Sequence, residues 1–190
     1  MNGTLHWDAT FPLLRLDGAG TRNFVQGQTS ADVTNTPEGA LVQTCWLTAT
    51  GRLRALLELR LRANGADVLV LAGDATDVSK GFDQVIFPAD RVRLQPITEQ
   101  RRVQPLSSNS VALWLDHNSP IPPNWTSAPA VPQQFERWRI EQGLAIGPGE
   151  LSANANPLEL GLADHVSLSK GCYLGQETVA KLSNLGGPKQ

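Results

Sequence analysis

An α+β fold, built on mostly antiparallel sheet with flanking helices, follows from three observations. Residues 52–62 alternate strictly enough for a half-buried strand, with Leu53, Ala55, Leu57, Leu59 and Leu61 on one face. Asn64-Gly65 then supplies a hairpin turn into Val68-Leu69-Val70-Leu71. Beyond it the period changes: Asp74 is placed to cap a helix whose apolar positions Ala75, Val78, Phe82 and Val85 follow helical spacing. The remaining elements are read in the same way. Phe11 to Asp17 has the apolar content of a strand ending at Gly18, and residues 21–27 form a short helix with Phe24 and Val25 inward and Gly27 closing it. Leu41 to Thr48 is a further strand, and Val92 and Leu94 open another.

At 190 residues the chain is one large domain or two small ones, enough to bury a real core. A hydrophobic fraction of 41% and a net charge of −2 exclude a disordered chain and a bulk polyanion binder. Two cysteines far apart, and no signal-like N-terminus, do not suggest a disulfide scaffold and fit a cytoplasmic protein. No apolar run approaches the ~20 residues of a membrane span. The three histidines, His6, His117 and His165, are scattered, so no metal site is expected. Five of the thirteen prolines fall within residues 119–132, which reads as a connector between an N-terminal segment, 1–118, and a block spanning 133–190.

The densest chemistry lies in Lys170-Gly-Cys-Tyr-Leu-Gly-Gln-Glu177. It gathers one of two cysteines, the only tyrosine, an amine and a carboxylate, with Gly171 and Gly175 bracketing Cys172 and Tyr173. Two readings stand: a tight turn in which Cys172 is a small buried hydrophobe, or a reactive thiol whose thiolate is favoured by Lys170 and a helix start just beyond. Cys45, in an apolar strand beside Trp46, is expected to be buried and inert.

KGCYLGQE resembles the signature of the folate-binding iron–sulfur-cluster assembly factors, also known as tRNA-modifying proteins and related in structure to the glycine-cleavage T-protein, an aminomethyltransferase. Further segments resemble the same family, in its order: Leu16-Asp17-Gly18, Phe24 to Val33, Cys45 with Thr50-Gly51-Arg52-Leu53, Arg139 to Gly143, Gly149-Glu150-Leu151, and Pro157 to Leu162. The resemblance implies a T-protein folate-binding-like core, with the 133–190 block packing back on the N-terminal segment. It implies tetrahydrofolate or a related folate as ligand, and iron–sulfur assembly proteins or client enzymes as partners. Gln28, Arg139, Glu141, Lys170 and Tyr173 are the candidate ligand-binding residues, and Cys172 with Lys170 the candidate catalytic pair. Relatives continue into a C-terminal barrel, which this sequence is expected to lack, whether by truncation or as a shortened form. Val179 and Leu182 are therefore expected to lie exposed and to support self-association.

The same resemblance frames the enzyme question. Aminomethyltransferases carry an aspartate in the segment corresponding to residues 51–57, and this chain has no carboxylate there. Glu58 is the nearest acid, and it belongs to a strand face shared with Arg52, Arg54, Arg60 and Arg62. That face reads either as an attractor of carboxylates or phosphates or as the wet side of a sheet. With no interleaved aromatics, direct nucleic-acid binding is not expected. Three functions remain in play: a folate-binding assembly or repair factor acting indirectly on tRNA modification, a folate-dependent one-carbon transferase, and a partner-binding domain with a vestigial cavity. Trp138 is expected in the core, and Glu159 as a support for the KGCYLGQE turn.

Overall fold

The computed structural model describes residues 3–107, 110–147, 149–151 and 154–185. One antiparallel sheet carries the molecule. Its strands are β1 (His6–Asp17), β2 (Leu41–Leu47), β3 (Leu53–Arg62), β4 (Gly65–Ala72), β5 (Arg93–Leu94), β6 (Thr98–Pro105) and β7 (Leu113–Leu115). They run in the order β2-β3-β4-β1-β6-β7, with β5 added to β1. Among the described residues four α-helices flank it: α1 (Thr21–Gln28), α2 (Ala75–Asp83), α3 (Pro132–Glu141) and α4 (Gln176–Asn184).

The sheet is covered on both faces. On the first face Ala55, Leu57, Leu59 and Leu61 pack with Phe24 and Val25 of α1 and Val78 and Phe82 of α2. Phe82 meets Phe24 and Trp46 edge-on at 5.5 and 5.8 Å, the preferred aromatic geometry. On the second face Cys45, Leu47, Leu53, Leu56 and Leu69 pack against Trp138, Leu144, Leu162, Tyr173 and Val179 from the C-terminal third of the chain. Burying each of these large side chains is worth about 1.5–3 kcal/mol, so neither layer is optional.

Asp74 caps α2, its carboxylate accepting from the Thr76 and Asp77 amides at 2.7 and 3.1 Å. Several expectations shift. Gly27 lies inside α1, which runs on to Gln28. The two-residue turn of the β3–β4 hairpin is Ala63-Asn64, with Gly65 already paired to Arg62. Val85 lies beyond α2 and is largely exposed. Leu53 belongs to the second face, because Trp46 pairs with Ala55 and Leu47 with Leu53, leaving Arg54 as a one-residue bulge that reverses the side-chain parity. Residues 122–130, within the connector, are tied to the start of the first strand. The Thr4 and His6 carbonyls accept from Thr126 and Ala130, and the His6 and Trp125 rings lie 5.5 Å apart. Val179 is fully buried, so it offers nothing to self-association, whereas Leu185 is exposed.

Candidate functional site

Three segments far apart in sequence meet at the 170–177 turn. The Lys170 ammonium is buried and donates to the Thr29 and Ala31 carbonyls, both at 2.7 Å, with the Tyr173 ring 5.0 Å away. Leu174 N–H donates to Gly27 O, and Ser167 N–H to Ser30 O. The Ser30 hydroxyl donates in turn to His165 O at 2.6 Å and accepts from the Cys45 amide. The Thr48–Gly51 turn closes the assembly. Gly51 and Gly175 both have positive φ, +74° and +81°, and a Cβ on Gly175 would lie 3.0 Å from the Gly51 Cα and 2.5 Å from Thr48 O. No side chain fits between the two backbones.

This assembly positions the candidate residues differently from expectation. Burial pushes the Lys170 amine down to about 8, with Asp32 pulling the other way. Two of its three protons go to the Thr29 and Ala31 carbonyls, which makes it a clamp on the turn. Helix α4 begins at Gln176, so Cys172 precedes its first turn. Cys172 is exposed, and with Gln28 and Tyr173 it lines one open surface groove. Tyr173 is itself buried, and burial pushes its phenol up to about 12, with Cys45 adding to the shift. Cys45 is buried completely, and burial likewise pushes its thiol up to about 12, opposed by Ser30. Limiting iodoacetamide followed by peptide mapping is therefore expected to label Cys172 first and Cys45 only on unfolding. Labelling of Cys45 in the folded protein would contradict the packing described.

Arg139 and Glu141 are turned to different partners. Arg139 is buried and held by Glu136 at 2.5 Å and Glu150 at 2.8 Å, whereas Glu141 is exposed and pairs with Arg137 one turn away. Glu159 accepts from the Asn156 amide and faces Arg52, rather than bonding the amides of the KGCYLGQE turn as expected. The arginines of β3 are occupied as well. Arg60 and Arg62, together with Arg15 of β1, surround the fully buried Asp67 at 2.8–3.1 Å, and Arg62 also reaches Asp17 at 2.7 Å. Arg54 lies over the Trp46 ring and pairs with Asp77. These side chains stay 30–46% exposed, but each is engaged by a carboxylate, so they are not a free anion cradle.

What sequence reasoning missed lies under the second face. Glu58 and Arg102, 3% and 1% exposed, form a bidentate pair at 2.8 and 2.9 Å. The Trp114 indole N–H donates to Glu58 at 2.6 Å and Gln43 Nε2 at 3.2 Å. Burial pushes the Glu58 carboxyl up, but these donors, Arg102 foremost, outweigh it and hold it below the usual carboxylate range. Gln43 Oε1 then meets His165 Nε2 at 2.8 Å, and Arg102 donates to Gln104 at 2.8 Å. Above this polar floor lies a cavity of about 170 Å³ lined by Gln43, Gln104, Ser110, Trp138, Leu144 and His165. Two of its lining residues carry a buried atom with no partner among the described residues, Trp138 Nε1 and His165 Nδ1. Trp138 is thus both a core residue, as expected, and a cavity wall. Burial keeps the His165 pKa below its ordinary value, against the pull of Asp164.

Comparison with solved structures places this architecture. The glycine cleavage system aminomethyltransferase T of Bartonella henselae superposes with a TM-score of 0.67 over 98% of this chain and 64% of its own, at 12% identity. The chain has a T-protein-like fold. No protein-family model matches it. Two curated proteins are similar in sequence. One is "Putative transferase At1g60990, chloroplastic" of Arabidopsis thaliana, 26% identical over all of this chain and 55% of its own length. The other is an uncharacterized protein of Haemophilus influenzae, 25% identical over 95% of this chain and 69% of its own. The chain thus spans little more than half the plant relative. Within this T-protein-like frame the 51–57 stretch bears no carboxylate, and Glu58 is committed to Arg102. Among the described residues, no group of three or more His, Cys, Asp or Glu could hold a metal ion, and no helix is long and apolar enough to cross a membrane.

Proposed function

We propose that this protein binds a reduced folate in the Gln43–Trp138–His165 cavity and assists iron–sulfur cluster assembly or repair, with tRNA modification affected indirectly through cluster enzymes. The observation that carries the folate part is a ring-sized cavity over the polar Gln43–His165 floor in a T-protein-like fold. A void of ~150 Å³ holds one benzene, so about 170 Å³ takes one ring of a folate's fused pair, the rest of the ligand extending out past the exposed Gln142 and Gly143. Such sites need only a few placed polar groups in a largely apolar wall. The assembly role rests on the ordered motif resemblance, its partners being cluster-assembly proteins or client enzymes. We place the protein in the cytoplasm, although the plant relative's name places that protein in the chloroplast.

Tetrahydrofolate at about 100 times its Kd is expected to add about 2.7 kcal/mol of stability, a rise in Tm of about 5–10 °C for a chain of this size. Differential scanning fluorimetry measures it, and a flat response favours the vestigial-cavity reading. A one-carbon transferase is the second reading, favoured by the name of the plant relative. It requires an acid that residues 51–57 do not supply. Formation of methylenetetrahydrofolate from an aminomethyl-carrier substrate above background would establish it.

A further inference from the structure

We infer that the open end of the second sheet face, where Arg15, Arg60, Arg62 and Arg93 gather about Asp67, docks an acidic segment of a partner protein. The strand register builds this patch. Arg60, Asp67 and Arg15 stand side by side on β3, β4 and β1, and the next row holds Arg62, Gly65, Asp17 and Arg93 on β3, β4, β1 and β5. Directly opposed residues share a face, so these side chains emerge together. The covering layer packs on Leu13 and Leu69, one row before Arg15 and Asp67. Beyond it the Arg15, Arg60 and Arg62 side chains stay 49%, 30% and 33% exposed. Arg93 is exposed too, and with Asp17 and Gln95 it lines a surface groove of about 430 Å³. The inference does not depend on what the cavity binds.

The carboxylates engage these arginines from beneath without discharging them. Buried Asp67 meets Nε of Arg15, Nε of Arg62, and Nε and Nη2 of Arg60 at 2.8–3.3 Å. Both Nη groups of Arg15, and Nη1 of Arg60 and of Arg62, have no hydrogen-bond partner among the described residues. Asp17 pairs with Arg62 at 2.7 Å, and the Arg93 side chain pairs with nothing among the described residues. Four guanidiniums thus face two carboxylates, a local positive excess in a chain whose net charge is −2. One guanidinium suffices to pair a buried carboxylate, and three that converge on it repel one another. An acidic segment laid over the patch relieves that repulsion and takes up the free Nη groups in charge-assisted hydrogen bonds. Alternate side chains of an extended chain fall on one side about 7 Å apart, the spacing of Arg60 and Arg62 along β3. The Trp114 ring, centred 4.5 Å from the Arg60 guanidinium, steadies one wall. A nucleic acid asks for a longer basic track interleaved with aromatics, so the patch suits a protein segment.

The test uses the whole protein and a fluorescein-labelled peptide of alternating aspartate and glycine, read by anisotropy in dilute buffer, where exposed charges are least screened. We expect saturable binding that weakens as salt is added. Arg93→Glu should weaken it about tenfold, because an attraction becomes a repulsion. Arg137→Glu, the same charge change on an 83% exposed side chain of α3, should leave it as it was. Arg15→Gln should weaken the peptide while keeping the parent's urea midpoint, since Asp67 retains Arg60 and Arg62. No binding, equal weakening by Arg93→Glu and Arg137→Glu, or an Arg15→Gln protein that unfolds at markedly lower urea each overturns the inference. A single-stranded oligonucleotide of equal charge that binds more tightly than the peptide overturns it as well, by making the partner a nucleic acid.

Discussion

Replacing Glu58 with alanine is expected to destabilise the protein by about 3–5 kcal/mol, the usual cost of leaving a buried charge without its partner. Arg102 is 1% exposed and loses both of its carboxylate contacts in that variant. The Trp114 indole and the Gln43 amide lose an acceptor at the same time. Urea unfolding followed by tryptophan fluorescence gives the midpoint and slope from which the loss is read. Removing Arg102 as well, in a Glu58→Leu/Arg102→Leu double variant, should recover part of the loss, because two leucines in place of an ion pair leave no unpaired charge. A single variant within 1 kcal/mol of the parent would mean that water reaches the pair and that the cavity floor is not the dry network described.

Lys170→Met is the second large effect, with an expected cost of about 2–4 kcal/mol from two buried carbonyls deprived of their donor. Methionine keeps most of the apolar stem, so the loss isolates the two 2.7 Å bonds to Thr29 and Ala31. The same denaturation experiment decides between structure and chemistry. If Lys170 acts on a ligand or on Cys172, its replacement should leave the unfolding midpoint nearly unchanged while function falls. If it is the clamp that fastens the 170–177 turn to the end of α1, the midpoint falls first. Cys172→Ser, which alters an exposed side chain, should leave the midpoint where it was.

Much of the frame was legible in the sequence because it obeys local rules. The alternation of β3, the Asp74 cap and the inward Phe24 and Val25 are each written within a few residues. What escaped is what depends on partners elsewhere in the chain. Thr98–Pro105 reads TEQRRVQP, a stretch with no apolar period, yet it is a strand beside β1 whose Arg102 points inward to Glu58. The leucines of β3 announced one buried face, but Leu56 and Glu58 show that the other is buried too, because a layer that begins more than seventy residues later, at α3, covers it. The cavity draws single side chains from β2, β6, α3 and the 163–165 turn, and each looks like ordinary surface polarity where it stands. One signal was present: a lone carboxylate in a leucine-rich strand needs a cation, and TEQRRVQP supplies it. The KGCYLGQE segment is dense in reactive groups, yet its Gly175 and Lys170 fasten backbones together.

The order in which the two faces are covered bears on how the protein is made. All seven strands, α1 and α2 lie before residue 116, so a nascent chain can close the first face while residues 132–182 are still to be added. At ~5–20 residues per second that interval lasts several seconds on the ribosome. During it Cys45, Leu47, Leu56 and Leu69 face water, and the Thr29 and Ala31 carbonyls wait for an amine about 140 positions downstream. The half-made protein is thus a sheet with one greasy side, a natural client for a chaperone and a ready seed for aggregation when translation stalls.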